Sequence, residues 1–375
     1  MAFVCEENMC CGCMACVSVC KKNAIKIVDS LDAYNAIINE ECCINCNVCK
    51  KICQSNHKPI GNKPTSWYQG WANSMEIRKT SSSGGLAASL SKQFVKSGGY
   101  VCSCSFKDGK FGFDFASSIE QCDLFTGSKY VKSNPDGIYE KIKKLLSSGE
   151  KVLFIGLPCQ VAAVKNYCRM NDKNLYLIDL ICHGTPSPQI LEHFLLQSNY
   201  SLRGMKNIYF RRKANFKIEC DYKSIVPERV LDMYMYAFLQ GVDYTENCYH
   251  CDYAQLERVS DLTIGDSWGT DLSLDEQRNG ISLILCQTDK GAELLDNAIL
   301  HLEAVDLNKA TEANTQLRHP TIAPKEREKF FKEFKLDNNF NRAISKCYPR
   351  LYYKQKLKLF LIKLKILGRL SENYE

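Results

Sequence analysis

Eight cysteines among the first 53 residues, in two runs of identical spacing, constrain this chain more than any other feature. Cys10, Cys13, Cys16 and Cys20 form one C-x-x-C-x-x-C-x-x-x-C run, and Cys43, Cys46, Cys49 and Cys53 repeat it at a constant offset. A lone C-x-x-C fits zinc, a redox pair or chance, whereas two complete quartets are the ligand pattern of cubane iron–sulfur clusters. In that pattern three close cysteines take three iron corners and the fourth crosses to the other cluster. Cys10, Cys13, Cys16 and Cys53 are thus expected to hold one [4Fe–4S] cluster, and Cys43, Cys46, Cys49 and Cys20 a second. The competing reading is a pair of zinc sites, which more often draw two spaced cysteine pairs than a run of four. Such clusters carry single electrons, so the chain is expected to move electrons.

Between the runs, Ala24–Val28 and Asn35–Ile38 alternate like short strands about the polar turn Asp29-Ser30-Leu31-Asp32. Residues 1–55 therefore resemble the bacterial two-cluster ferredoxin module. They depart from it where a proline usually follows the fourth cysteine: Lys21 and Gln54 stand there.

The chain has 375 residues, too many for that module alone, and its 45% hydrophobic content supports a sizeable core. Its 22 cysteines would suit a secreted disulfide protein, but that class is short and carries a leader. Met1–Glu7 holds no basic stretch followed by an apolar one, and cluster thiolates need reducing surroundings, so a cytoplasmic location is expected. No run approaches the roughly 20 apolar residues of a membrane span. The net charge of +7 is local rather than global: residues 351–369 contain Lys354, Lys356, Lys358, Lys363, Lys365 and Arg369 and no acid. No nucleic-acid surface is expected. In that segment Leu357, Phe360, Leu361, Leu364 and Leu367 fall on one helical stripe. A stripe of this kind either packs on its own domain or lies on an anionic membrane face.

Residues 56–66, with two prolines and a glycine, have linker composition. Arg78 to Gly85 then makes a serine- and glycine-rich turn opening a helix through Leu86, Leu90 and Phe94. Such a turn brings backbone amides close to an anionic ligand, or is an ordinary helix cap. Lys151–Ile155, a helix with Val161, Val164 and Tyr167, and Leu175–Ile181 read as a βαβ unit with parallel strands. Both strands end in cysteine-bearing turns, at Cys159 and Cys182, and ligands sit at the carboxyl ends of such strands. Further along lie the pair Cys248 and Cys251 and the turn Gly265-Asp266-Ser267-Trp268-Gly269. Cys5, Cys11, Cys42, Cys102, Cys104, Cys122, Cys168, Cys220, Cys286 and Cys347 lack ligand spacing and are expected to be packing residues.

In order, Ser82-Ser83-Gly84-Gly85, Gly127–Val131, Gly156–Gln160, Asp179–Gly184, Phe210–Lys213, Cys248–Cys251, Gly265–Gly269 and Asn279–Ser282 resemble the coenzyme F-420 hydrogenase/dehydrogenase beta-subunit family. The resemblance covers roughly residues 66–300. It implies an FAD-binding domain with an iron–sulfur cluster, whose members exchange electrons between hydrogenase or formate dehydrogenase partners and a deazaflavin coenzyme, or reduce organic substrates. A bacterial branch fused to a ferredoxin module is associated with polysaccharide synthesis. By matching position, Arg78, Ser82, Ser83, Gly84 and Gly85 would cradle the flavin with Lys129 beside it. Cys159, Cys182, Cys248 and Cys251 would hold a third [4Fe–4S] cluster; four soft ligands also suit zinc, or remain free thiols. Asp266 would bind a ribityl or substrate hydroxyl, or brace its turn. His183 would donate a proton to the reduced substrate, or orient a neighbour. The tryptophan common after Phe-Arg-x-Lys is replaced here by Asn215-Phe216.

The expected fold is an α+β ferredoxin-like two-cluster module (1–55), a linker (56–66), an α/β flavin-binding domain with a partly parallel sheet (67–330) and a helical basic tail (331–375). The expected function is an iron–sulfur flavoprotein oxidoreductase that relays electrons from clusters to FAD. Its expected partners are a ferredoxin or a dehydrogenase or hydrogenase subunit, with a small-molecule substrate or coenzyme. The alternatives are a deazaflavin-coenzyme subunit of a larger complex and a non-catalytic electron-transfer adaptor.

Overall fold

Apolar runs buried on both faces form the centre of the molecule, and their order decides where ligands can sit. The computed structural model describes residues 2–168 and 173–365. The N-terminal unit comprises β1 (Ala2–Phe3), α1 (Ala15–Val19), β2 (Ile25–Asp29), β3 (Tyr34–Ile38) and α2 (Val48–Ile52). Its strands pair antiparallel in the order β1-β3-β2. The turn between β2 and β3 closes as the Leu31 amide donates to Asp29 Oδ1 at 2.8 Å. The two cysteine loops enter α1 and α2 alike, through left-handed residues Met14 (φ 62°) and Asn47 (φ 58°). The repeat in sequence is thus a repeat in backbone shape.

The larger unit contains β4 (Ser66–Ala72), α3 (Met75–Thr80), α4 (Leu86–Lys96), β5 (Tyr100–Lys107), β6 (Lys110–Ala116), α5 (Ile138–Ser147), β7 (Val152–Gly156), α6 (Pro158–Cys168), β8 (Leu175–Leu180) and α7 (Pro188–Gln197). Three two-residue strands follow, β9 (Ile208–Tyr209), β10 (Glu219–Cys220) and β11 (Lys223–Ser224), with α8 (Met233–Leu239), β12 (Leu262–Asp266), β13 (Ser282–Cys286) and β14 (Leu300–Glu303). The eight-stranded sheet has the order β14-β4-β13-β12-β8-β7-β5-β6. Its centre, β5-β7-β8-β12, is parallel, and the flanks are antiparallel. β7, α6 and β8 form the expected βαβ unit, with Val152 opposite Leu175.

Helices cover both faces, which is why β7 reads as an unbroken apolar run. Leu86, Leu90 and Phe94 of α4 pack on Leu153, Ile155, Ile178 and Ile264. On the other face Ile138 and Ile142 of α5 and Val161 and Val164 of α6 pack on Val152, Phe154 and Leu177. Each such side chain contributes about 1.5–3 kcal/mol by leaving water. Cys11, Cys13 and Ala15 join that second cluster, so the N-terminal unit is seated on the sheet's helical layer. Its polar contacts include Ser187 Oγ to Asp29 Oδ2 (2.6 Å), Tyr253 Oη to Gln54 Oε1 (2.6 Å) and Tyr139 Oη to the Cys13 carbonyl. Residues 56–66 run mostly over the surface, with Asn62 and Arg258 exchanging backbone hydrogen bonds at 2.7 and 2.9 Å.

A third core joins α7 and α8 to the C-terminal helices Arg327–Asp337, Phe340–Cys347 and Pro349–Lys363, burying Phe330, Phe334, Phe340 and Ile344. The boundary expected at 330 therefore falls within a helix that belongs to the core. Packing of the apolar stripe on its own domain is not what the structure shows: Leu357, Phe360 and Leu364 are 57, 57 and 52% exposed, and Tyr352 and Gln355 face inward instead. Leu367 lies outside the described residues. No helix among the described residues is long and apolar enough to cross a membrane.

Candidate redox site

Cys10, Cys13, Cys16 and Cys53 are all buried and line one pocket beneath β3 residue Ala36. Gly12, at φ +71°, lets the loop fold back so that its amide donates to Cys10 Sγ at 3.4 Å. Burial pushes the Cys16 thiol up, and the thiols of Cys10, Cys53 and Cys49 push it further. Cys49 rises for the same first reason, burial, and its thiol neighbours are Cys20, Cys46 and Cys43. Cys53 thus lies with the first run and Cys20 with the second. The two groups differ in access: Cys46 is exposed and Cys20, Cys43 and Cys49 are half-buried. No three ligating side chains close on a single-ion position among the described residues. Four thiols ringing a pocket suit a multi-iron group, where each thiolate binds its own iron.

A third group forms where β7 and β8 end. Cys159 sits in the first turn of α6, Cys182 follows β8, and Cys248 and Cys251 flank the turn after the short 3-10 helix Glu246–Cys248. Burial pushes Cys182 up to about 12, with Cys248 and Cys251 as its thiol neighbours. Burial also pushes Cys251 up to about 11, beside Cys248 and Cys11. Cys11 and burial push the Cys159 thiol up, with Cys251 a further thiol neighbour. Buried thiols that mutually raise one another are poised to lose their protons to a metal rather than to water.

Two cysteines expected to be packing residues, Cys5 and Cys11, are buried in core clusters and also line the pocket of the first quartet. Cys5 lines the same pocket as Cys10 and Cys53. Cys11 packs in one cluster with Cys13 of the first quartet and Cys159 of the third, and Gln54 Nε2 donates to its sulfur at 3.1 Å. Spacing cannot reveal either residue, since each reaches its partners through tertiary packing.

Beside the third quartet lies a cavity of about 660 Å³ at the carboxyl ends of β7, β8 and β12. That is the ligand position of a parallel sheet, and the volume is in the range of cofactor sites. Cys182, His183 and Thr185 line it from one side, and Ser82, Ser83, Gly85, Lys129 and Tyr130 from another. Cys182 is therefore shared by quartet and cavity, and Thr185 Oγ1 stands 3.8 Å from Cys248 Sγ.

The expected cradle residues divide. Ser82 accepts the Ser128 amide at 2.9 Å through Oγ, Ser83 Oγ donates to the Ile281 carbonyl at 3.0 Å, and Gly85 caps α4 at φ +88°. Arg78 and Gly84 do not line the cavity. The Arg78 guanidinium is buried on the Gly280 carbonyl (3.0 Å), Glu276 (2.6 Å) and the Trp71 ring (4.1 Å). Gly84 lies where a Cβ would meet the Gly70 carbonyl at 2.5 Å, so packing on β4 explains it. Lys129 lines the cavity, but its Nζ donates to the carbonyls of Phe125 (2.8 Å) and Thr126 (3.1 Å), and burial lowers its pKa.

Asp266 is held bidentate by Arg211, with both N–O distances 2.7 Å. Arg211 also donates to the Ser82 carbonyl (2.7 Å) and to Tyr130 Oη (3.1 Å), while its buried Nε has no partner among the described residues. It thereby ties the serine turn to β12 across the cavity wall. In the sequence Arg211 stands within the Phe210–Lys213 motif, and nothing local marks this role. His183 opens to the cavity, where desolvation by surrounding protein lowers its pKa from 6.5; Asp266 opposes that shift and Arg211 adds to it. Serine hydroxyls, glycine backbone, aromatic walls and an unsatisfied Arg211 N–H fit a flavin with its polar ring edge and ribityl chain.

Residues 149–310 match the family described as the C terminus of the coenzyme F420 hydrogenase/dehydrogenase beta subunit. Among solved structures, the chain is similar to one in the xenon-derivatized F420-reducing [NiFe] hydrogenase complex from Methanosarcina barkeri. The TM-score is 0.49 at 18% identity, covering 75% of this chain and 96% of that one. No curated protein matches.

Proposed function

We propose that this chain is an iron–sulfur flavoprotein oxidoreductase that conducts single electrons through three [4Fe–4S] clusters to FAD in the cavity at the sheet's carboxyl edge. The observation that carries this reading is Cys182, which stands in the third quartet and in the cavity wall at once. FAD would supply the conversion between single electrons and a transferred pair. The chain's own residues would position it. Ser82 and Ser83 fix the serine turn, Arg211 clamps that turn to Asp266, and Gly85 admits close backbone approach. His183, its pKa held down by desolvation, would be a neutral imidazole at the substrate, suited to accept a proton or hydrogen bond rather than to act as the proton donor.

The family match over residues 149–310 favours a deazaflavin coenzyme as the small-molecule partner and a hydrogenase or dehydrogenase polypeptide as the protein partner. A polysaccharide-synthesis setting rests on the sequence resemblance alone. Anaerobic protein supplied with FAD and reduced by dithionite tests the reading: a bound yellow chromophore that bleaches, and then reoxidises with added deazaflavin coenzyme, is expected. Protein that binds no FAD under these conditions is an adaptor, and the enzyme reading fails.

The exposed apolar stripe of helix Pro349–Lys363, flanked by Lys354, Lys356, Lys363 and Lys365, supports peripheral contact with an anionic membrane face.

A further inference from the structure

Lys132 is 6% exposed, and its aliphatic stem lies against Gly12, where a Cβ would meet Lys132 Cδ at 3.3 Å and the Tyr34 ring at 2.8 Å. Its ammonium donates to the Cys11 carbonyl at 3.3 Å and sits 5.0 Å from the centre of the Tyr34 ring. Its backbone amide donates to the Pro186 carbonyl at 2.9 Å, next to Thr185, whose Oγ1 stands 3.8 Å from Cys248 Sγ, and the sulfurs of Cys248, Cys159, Cys11 and Cys10 favour its charged form. A buried ammonium is strongly disfavoured unless anions compensate it. Protonated thiols cannot do so; metal-bound thiolates can. The lysine therefore stands between two thiolate quartets, one from the N-terminal unit and one from the sheet edge. Cys11 spans the same gap, packed in one cluster with Cys13 and Cys159.

We propose that Lys132 is a positioning residue for electron transfer, a fixed cation shared by the first and third clusters that raises the reduction potential of both. The inference rests on the proposed function, since it needs clusters in both quartets. The step served is the passage of one electron from the first quartet to the third, with no bond made or broken and no proton moved. Each cluster gains negative charge on reduction, so a neighbouring cation favours the reduced form. One cation facing both keeps their potentials moving together. The sulfurs that act most on the lysine belong to the first and third groups, so the second cluster should not respond.

The test is an EPR-monitored redox titration of anaerobic, fully loaded protein carrying Lys132→Met, Lys132→Gln or Lys132→Arg. The two neutral variants should lower the first and third potentials by at least tenfold in the one-electron equilibrium, about 59 mV. The signal of the second cluster should stay in place, and Lys132→Arg should restore wild-type values. Unmoved potentials at full iron content overturn the proposal, as does an equal shift of all three. Iron loss from both neutral variants also overturns it, leaving the lysine a structural role. Wild-type protein that binds no iron would instead defeat the proposed function itself.

Discussion

At Gly184 the backbone turns at φ +146° two residues after Cys182, and a Cβ there would lie 2.2 Å from the buried ring of Tyr244. That ring is anchored, its hydroxyl donating to the Phe238 carbonyl at 2.6 Å, so it has little room to yield. Gly184→Ala should cost about 3 kcal/mol by combined crowding and backbone strain, read from the denaturant midpoint of anaerobic protein. Gly98, at φ +87° with nothing within 4 Å, isolates the backbone part, and Gly98→Ala should cost about 1 kcal/mol. Asp243 makes a pH prediction. Its carboxyl is buried without a hydrogen-bond partner among the described residues, and burial pushes its pKa up to about 8. The folded chain keeps this proton while the unfolded chain releases it near 3.8, so stability falls as pH rises from about 4 to about 8. Asp243→Asn should flatten that limb and raise stability at pH 8 by a few kcal/mol, on the order set by the shift. Single residues are also where the sequence is least legible. Ligand spacing exposes Cys10 or Cys46, but Arg211, Lys132 and Cys11 act through neighbours tens or hundreds of positions away.

Elements are legible where their pattern is local. β7 and β8 are apolar runs, α4 carries its stripe at helical spacing, and β2 and β3 alternate about a polar turn, so each is visible within a short window. β4, β13 and β14 are not, because antiparallel flanking of a parallel centre depends on pairing between strands some 200 positions apart. The last helix, Pro349–Lys363, shows a different limit. Periodicity identifies an apolar stripe but not which face the preceding helices bury, and the core takes Tyr352 and Gln355. The stripe left outside makes a direct prediction. Leu357→Glu with Phe360→Glu should abolish co-sedimentation with vesicles rich in anionic lipid and leave thermal stability unchanged. Equal sedimentation of variant and wild type would remove the membrane contact from the account.

Across the whole molecule, the three thiol groups differ in access. The second quartet lies at the surface, the first is buried, and the third is half-buried against the cavity. Neighbouring thiols link each group to the next: Cys49 to Cys16, then Cys11 to Cys159. This arrangement predicts that Cys182→Ala preserves the two N-terminal clusters yet stops their electrons from reaching a bound flavin, observable as reduced clusters beside an oxidised flavin spectrum. The most direct measurement of the central claim is the iron and flavin content of protein purified without air. The account predicts about 12 irons and one flavin per chain. Colourless protein lacking both, even after anaerobic reconstitution, would contradict it.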